Sequence, residues 1–195
     1  MLSESKVVLL AALLLGCSGS ASAAGTCSAV GACGGDVTGT WAISNVCFPP
    51  SDVTEPESCG NVVVHASLDS ASGTIAFDSD GTETQTVNIA ITESTTYPTG
   101  CISTQAQCDT AKADLAVQPN ATDVNCSFSG GACSCSAKVT TSDNASSSYQ
   151  ISGTSLTIQT TGAPSETDPY CVMGNQLTLQ TTDPDGNVTT ITATK

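Results

Sequence analysis

Apolar and polar residues alternate with a period of two along most of this 195-residue chain, the pattern of strands with one buried and one wet face. Val62, Val64, Ala66 and Leu68 alternate with Val63, His65, Ser67 and Asp69. Ile75 and Phe77 follow, Asp80-Gly81 marks a tight hairpin, and Val87, Ile89 and Ile91 line one side of a long strand. In the first strand Trp41, Ile43, Asn45 and Cys47 share one parity. Cys133, Cys135, Ala137 and Val139 fall on one face, with Ser134, Ser136, Lys138 and Thr140 opposite. Further on, Ser148–Ser152 and Ser155–Gln159 flank Gly153-Thr154, and Tyr170–Met173 and Gln176–Thr181 flank Gly174-Asn175. Asp185-Gly186 then turns into Asn187–Thr194. Sequential hairpins of this kind predict a mainly β fold built as an antiparallel meander. The stretch Phe48–Ser58, with its three prolines, reads as a loop that a Cys47–Cys59 bridge would close. One helix breaks the pattern. Ser103 or Thr104 caps it, Cys108, Ala111 and Leu115 fall at i, i+3 and i+7, and Pro119 ends it.

The first 26 residues follow a different rule. Val7–Leu15 is apolar and follows Lys6, long enough for an export signal but short of the ~20 residues of a membrane-spanning helix. Leu14-Leu15-Gly16-Cys17 looks like the lipobox of bacterial lipoproteins, in which the cysteine thiol takes a diacylglycerol and becomes the new N-terminus. The expected organisation is therefore a signal peptide over 1–16, a lipidated Cys17 with a small, polar tether over 17–26, and a β domain over 27–195. In the logic of Gram-negative lipoproteins, Ser18 after that cysteine implies sorting to the outer membrane. The competing site is Ala21-Ser22-Ala23, where ordinary signal cleavage would give a periplasmic or secreted protein.

Cysteine usage fits export. Of 11 cysteines, Cys17 is spent on lipid, leaving Cys27, Cys33, Cys47, Cys59, Cys101, Cys108, Cys126, Cys133, Cys135 and Cys171. An even number in an exported chain reads as about five disulfides of undetermined pairing. They matter because the core is thin: aromatics make up 4% of the residues, and much of the apolar content is Ala and Cys. The charge is −14 and no Arg is present, which makes nucleic acid a poor partner and disfavours electrostatic attachment to anionic lipid.

Candidate chemistry is sparse. His65 is the sole histidine, on the polar parity of its strand with Asp69 four residues on, and no Gly-x-Ser-x-Gly elbow accompanies it, so it reads as a surface residue. Cys126 with Cys133-Ser-Cys135 lacks the paired Cys-x-x-Cys spacing of a zinc site, and disulfides are the better reading. Asp78-Ser-Asp80-Gly81 and Asp183-Pro-Asp185-Gly186 resemble halves of calcium loops, but lack both the acidic first ligand and the Glu at position twelve. They read as hairpin turns. No catalytic residue, metal or cofactor is nominated.

Several short motifs carry a resemblance. Gly39-Thr40-Trp41, Tyr149-Gln-Ile-Ser-Gly153 and Tyr170-Cys-Val-Met-Gly174-Asn-Gln-Leu177-Thr-Leu resemble the bacterial lipocalin-like domains. More narrowly, Cys33-Gly-Gly-Asp36, Gly130-Gly-Ala-Cys133-Ser-Cys135 and Tyr170-Cys171-Val are similar to a group of cysteine-rich lipoproteins typical of myxobacteria. The resemblance implies a small closed lipocalin-like barrel and an envelope location, without a reaction. The chain departs from lipocalins in its helical, cysteine-bearing insert (Cys101–Cys135) and its few aromatics.

Two functions are expected from these features. The first is a lipid-anchored, non-enzymatic structural or interaction module, held to the membrane through the acyl chains on Cys17. The second is a lipocalin-like carrier of a small apolar ligand. A filled interior favours the module, and an open interior with large apolar walls favours the carrier. Because disulfides contribute roughly 2–4 kcal/mol each against a typical net stability of ~5–15 kcal/mol, reduction is expected to unfold the protein. Native near-UV circular dichroism persisting in excess dithiothreitol would contradict this.

Overall fold

A computed structural model describes residues 27–48, 51–57, 60–182 and 188–195. The signal segment, the tether, Cys17, Cys59 and the Asp183–Gly186 turn lie outside the described residues. Ten strands and one helix follow in order: β1 (Gly39–Cys47), β2 (Ser51–Glu57), β3 (Gly60–Phe77), β4 (Thr82–Tyr97), α1 (Gln105–Ala116), β5 (Ala121–Ser129), β6 (Ala132–Ser152), β7 (Ser155–Gln159), β8 (Glu166–Met173), β9 (Gln176–Thr182) and β10 (Val188–Thr194). All named strand pairs are antiparallel, as the alternation predicts.

The sheet returns on itself. Its order runs β1-β10-β9-β8-β7-β6-β4-β3, and β1 also pairs β3, which closes a ring of eight strands. That closing seam is short: Gly39 to Ala42 against Phe77 to Thr74. The strands β3, β4 and β6 are much longer than their ring partners. Beyond the ring they continue as an arm, with β2 on the outer edge of β3, β5 on β6, and α1 packed against the arm.

Two bulges place the side chains. Between Leu68 and Ser70 the register of β3 on β4 slips by one. A one-residue slip exchanges the faces, so the inward set Val62, Val64, Ala66, Leu68 passes to the odd positions, where Ile75 and Phe77 are buried. The second bulge, between Ile43 and Asn45, corrects the sequence expectation for β1. Trp41 and Ile43 point inward, but Asn45 is exposed and Val46 takes its place against the core.

The Phe48–Ser58 stretch, expected as a loop, contains strand β2. Pro56 is compatible with it because β2 is an edge strand, where a missing N–H costs no ladder bond. Strand β5 was not apparent in the alternation, because its own bulge between Thr122 and Asn125 breaks the period. The helix falls where expected, with Thr104 as N-cap accepting from the Gln107 N–H. Cys108, Ala111 and Leu115 face the arm's small core.

Four disulfides join described residues: Cys27–Cys47, Cys33–Cys171, Cys108–Cys133 and Cys126–Cys135. Cys101 is disulfide-bonded as well. The Cys27–Cys47 bridge corrects the expected Cys47–Cys59 pairing. Thr190 stands opposite Cys47 in the β1–β10 ladder and its hydroxyl also donates to the Ser28 carbonyl, so the 27–30 segment is laid beside the end of β1.

The N-terminal segment closes one end of the ring. Val37, Trp41, Tyr170 and Leu177 form a floor in which each is at most 1% exposed. The Trp41 indole donates to the Val37 carbonyl at 2.6 Å, and the Tyr170 hydroxyl donates to the Gly35 carbonyl at 2.9 Å. Above Trp41, the Lys195 ammonium lies 4.2 Å from the ring centroid. The Cys33-Gly-Gly-Asp36 motif now has a physical reason. Cys33 is bonded to Cys171, and the two glycines lie so close to Gly153 and Val172 that a Cβ on either would come within 2.9 Å of a heavy atom. This bridge spans 138 residues, and the loop-entropy model assigns such a closure about 4–5 kcal/mol.

At Gly73 (φ +140°), opposite Val87 in β4, a Cβ would sit on the Thr86 carbonyl oxygen. Gly73→Ala is therefore expected to lower the urea midpoint by the equivalent of at least ~2 kcal/mol, whereas Gly31→Ala, with open space around it, changes it by less than ~0.5 kcal/mol. Equal midpoints for the two variants would show that the strand does not pass as closely as described.

Candidate functional site

The residues singled out in the sequence do not converge on one centre. His65 is exposed on the outer face of β3. Its neighbour in sequence, Asp69, instead accepts from the Thr92 hydroxyl at 2.8 Å and lies 3.8 Å from the Lys138 ammonium. The Asp78–Gly81 stretch is the hairpin turn expected: Gly81 N–H donates to the Asp78 carbonyl, and the Asp80 carboxylate accepts the Thr82 N–H, which holds its pKa below the usual range. Cys133 and Cys135 bring two disulfides together at the base of α1, with their sulfurs 3.7 Å apart.

What the fold does build is a cavity inside the ring. Its volume is about 360 Å³, and its walls come from the inward positions of seven of the eight ring strands. Ile75, Phe77, Leu156, Ile158, Leu179 and Ile191 supply the apolar surface. A smaller hollow of about 120 Å³ adjoins it and shares Ile75, Gln85, Asp143, Thr181 and Ile191. That second hollow runs toward the arm between Val87, Ile89, Ile91 and Phe48. The first volume lies within the range of ~300–1,000 Å³ common to small-molecule sites, which are mostly apolar with a few placed polar groups.

The polar groups here are acids. Glu83 is 2% exposed and lines the cavity. Desolvation pushes its pKa up to about 7, opposed only in part by a hydrogen bond from the Ser147 hydroxyl. The same hydroxyl lies 2.8 Å from that of Thr160. On β8, burial raises Asp168 to about 6, and the nearby Glu166 charge adds to the effect. Glu166, an exposed residue at the start of β8, is raised in the same direction by partial desolvation. These acids share the apolar faces because of strict alternation: Glu83 and Gln85 continue the odd parity of Val87, Ile89 and Ile91, and Glu166 and Asp168 continue the even parity of Tyr170. Carrying those two parities back toward the strand starts was the sequence signal for this site. It was obscured because a carboxylate in a strand normally marks the wet face.

Comparison with protein-family models, with curated proteins and with solved structures gave no match to this chain.

Glu83 binds its proton more tightly folded than unfolded, so its contribution falls as pH rises from about 4.5 to about 7. Wild-type stability in urea is expected to drop across that window by up to about 3 kcal/mol from this group, with Asp168 acting in the same sense. In Glu83→Gln the drop shrinks and the protein gains stability at pH 7.5. A variant whose pH profile superimposes on the wild type would contradict the burial of this carboxyl.

Proposed function

We propose that this protein is a lipid-anchored, extracytoplasmic binding protein that holds one small, largely apolar molecule inside its ring of strands. The observation that carries the reading is the cavity of about 360 Å³ walled by Ile75, Phe77, Leu156, Ile158, Leu179 and Ile191. A structural module would gain stability by filling that space, because unfilled core volume costs on the order of 24 cal/mol per Å³. Of the two functions the sequence suggests, the open interior favours the carrier.

The other parts of the reading rest on sequence. Leu14-Leu15-Gly16-Cys17 supports lipidation of Cys17 and retention at the outer membrane through acyl chains, with the 17–26 segment as tether. The disulfides support an oxidising compartment. The closed ring of antiparallel strands, with the Gly39-Thr40-Trp41 opening and the two terminal hairpins, supports the likeness to lipocalin-like barrels and to the cysteine-rich myxobacterial lipoproteins. A binding role requires no catalytic group, and none is assigned.

Native mass spectrometry of protein released from its own membrane tests this reading. One small molecule per chain is expected, on a polypeptide that starts at Cys17 and carries diacylglycerol. Ala145 lines the cavity, so Ala145→Phe should abolish the bound mass while leaving the fold intact. A wild-type chain without any ligand that also fails to take up an apolar dye would refute the carrier reading.

A further inference from the structure

Resting on the carrier reading, we propose that the ligand is an amphiphile with a protonated amine head, held by Glu83, Asp168 and Glu166, and a hydrocarbon tail lying along Val87, Ile89 and Ile91. The first ground is the polarity gradient along one inward face. From Glu83 through Gln85, Val87 and Ile89 to Ile91, the walls change from acid to amide to hydrocarbon over about 27 Å at the usual strand rise. The two connected hollows follow the same gradient, since Glu83, Glu166 and Asp168 line only the larger, while the smaller, which shares Asp143 with it, is lined mainly by aliphatic side chains. A cavity graded in this way fits a molecule that is itself polar at one end.

The second ground is a missing counter-charge. A carboxyl as deeply buried as Glu83 is normally paired with a cation, because an isolated buried charge is expensive. Every described cation is placed elsewhere. Lys138 is beside Asp69 on the outer face, Lys195 covers Trp41 and donates to the Thr38 carbonyl, and Lys112 is on α1. His65 is on the outer face of β3. Among the described residues, the other titratable groups lining the cavity are Asp143 from β6 and Glu166 and Asp168 from β8, all acids, while β3 and β7 contribute none. The polypeptide thus gathers acids along this cavity, with Glu83 buried, Asp168 half-buried and Asp143 and Glu166 exposed, and no described cation balances them. An ammonium supplies both the charge and up to three donors for these oxygens. A fatty-acid head would meet like charges, and a neutral alcohol would leave the ionised acids uncompensated.

Because the ammonium interacts with the ionised acids, affinity should fall as the pH drops below the titration of Glu83 and Asp168. The test uses the purified full chain with Nile red in the cavity and three competitors that share a ten-carbon chain: decylamine, decanol and decanoate. At pH 8, decylamine is expected to displace the dye at a concentration at least tenfold below that of decanol, with decanoate the weakest. At pH 5 the amine advantage should shrink below threefold. Glu83→Gln should bring the same loss of preference at pH 8, and Asp168→Asn a smaller one, with near-UV circular dichroism checking the fold. Should Glu83→Gln fail to fold, the wild-type pH comparison and Asp168→Asn decide. Equal potency of decylamine and decanol at pH 8 would overturn the amine head while leaving the carrier reading in place. Failure of the dye to bind, or of all three competitors to displace it, would overturn the carrier reading itself.

Discussion

The structure depends on the seam where β1 meets β3. Four residues on each strand, Gly39–Ala42 and Thr74–Phe77, turn what would otherwise be an open meander into a ring. Open edges of a long sheet would leave a row of unpaired backbone groups, and closure removes them within the ring, leaving edges among the described strands only at β2 and β5 of the arm. Closure also fixes which side chains point inward on all eight strands at once, because each is held by neighbours on both sides. The seam is reinforced from several directions. Trp41 sits opposite Ile75 and is locked by its bond to Val37 and by Lys195 above it. Bulges on both β1 and β3 adjust the inward sets of the two strands. Gly73 permits the approach of β4 where a side chain would not fit.

Around this seam the molecule has two separate cores, each cross-linked in its own way. The ring core is a set of large side chains, Trp41, Phe77, Tyr170, Leu156 and Leu177, tied at the floor by Cys33–Cys171. The arm core is small and rich in sulfur: Ile102, Cys108, Cys133 and Cys135 are its buried members. So few apolar groups would bury too little surface to order a helix and five strands on their own, and covalent bridges take over part of that task. The division explains the composition, in which cysteine stands where a larger protein would place Leu or Phe.

Much of the fold was legible in the sequence because strand periodicity is local. The hairpins at Asp80-Gly81, Gly153-Thr154 and Gly174-Asn175, and the Thr104-capped helix, all stand where the alternation and turn residues put them. What stayed hidden depended on pairing between distant segments. The bulges at Leu68/Ser70 and Ile43/Asn45 shift parity without any breaker residue, so Asn45 looked inward and Val46 outward. The Cys27–Cys47 bridge depends on β10 arriving beside β1, from some 140 residues downstream in the chain. The edge strand β2 carries Pro56 and follows Pro49-Pro50 in the chain, residues that, read locally, signal a loop. The site was hidden more thoroughly. Glu83 and Asp168 are 85 positions apart in the chain and share a cavity only after the ring closes.

A closed ring therefore carries a definite electrostatic consequence. It draws a carboxyl from β4 into an apolar interior whose other titratable groups, among the described residues, are acids, while the described lysines lie elsewhere. The most direct measurement is a ¹³C nuclear magnetic resonance titration of the Glu83 side-chain carboxyl in the oxidised protein, from pH 4 to pH 9. A closed, unpaired interior predicts a midpoint of about 7. An ordinary carboxylate midpoint near 4.5 would mean that Glu83 is solvated or paired and that the ring does not enclose it.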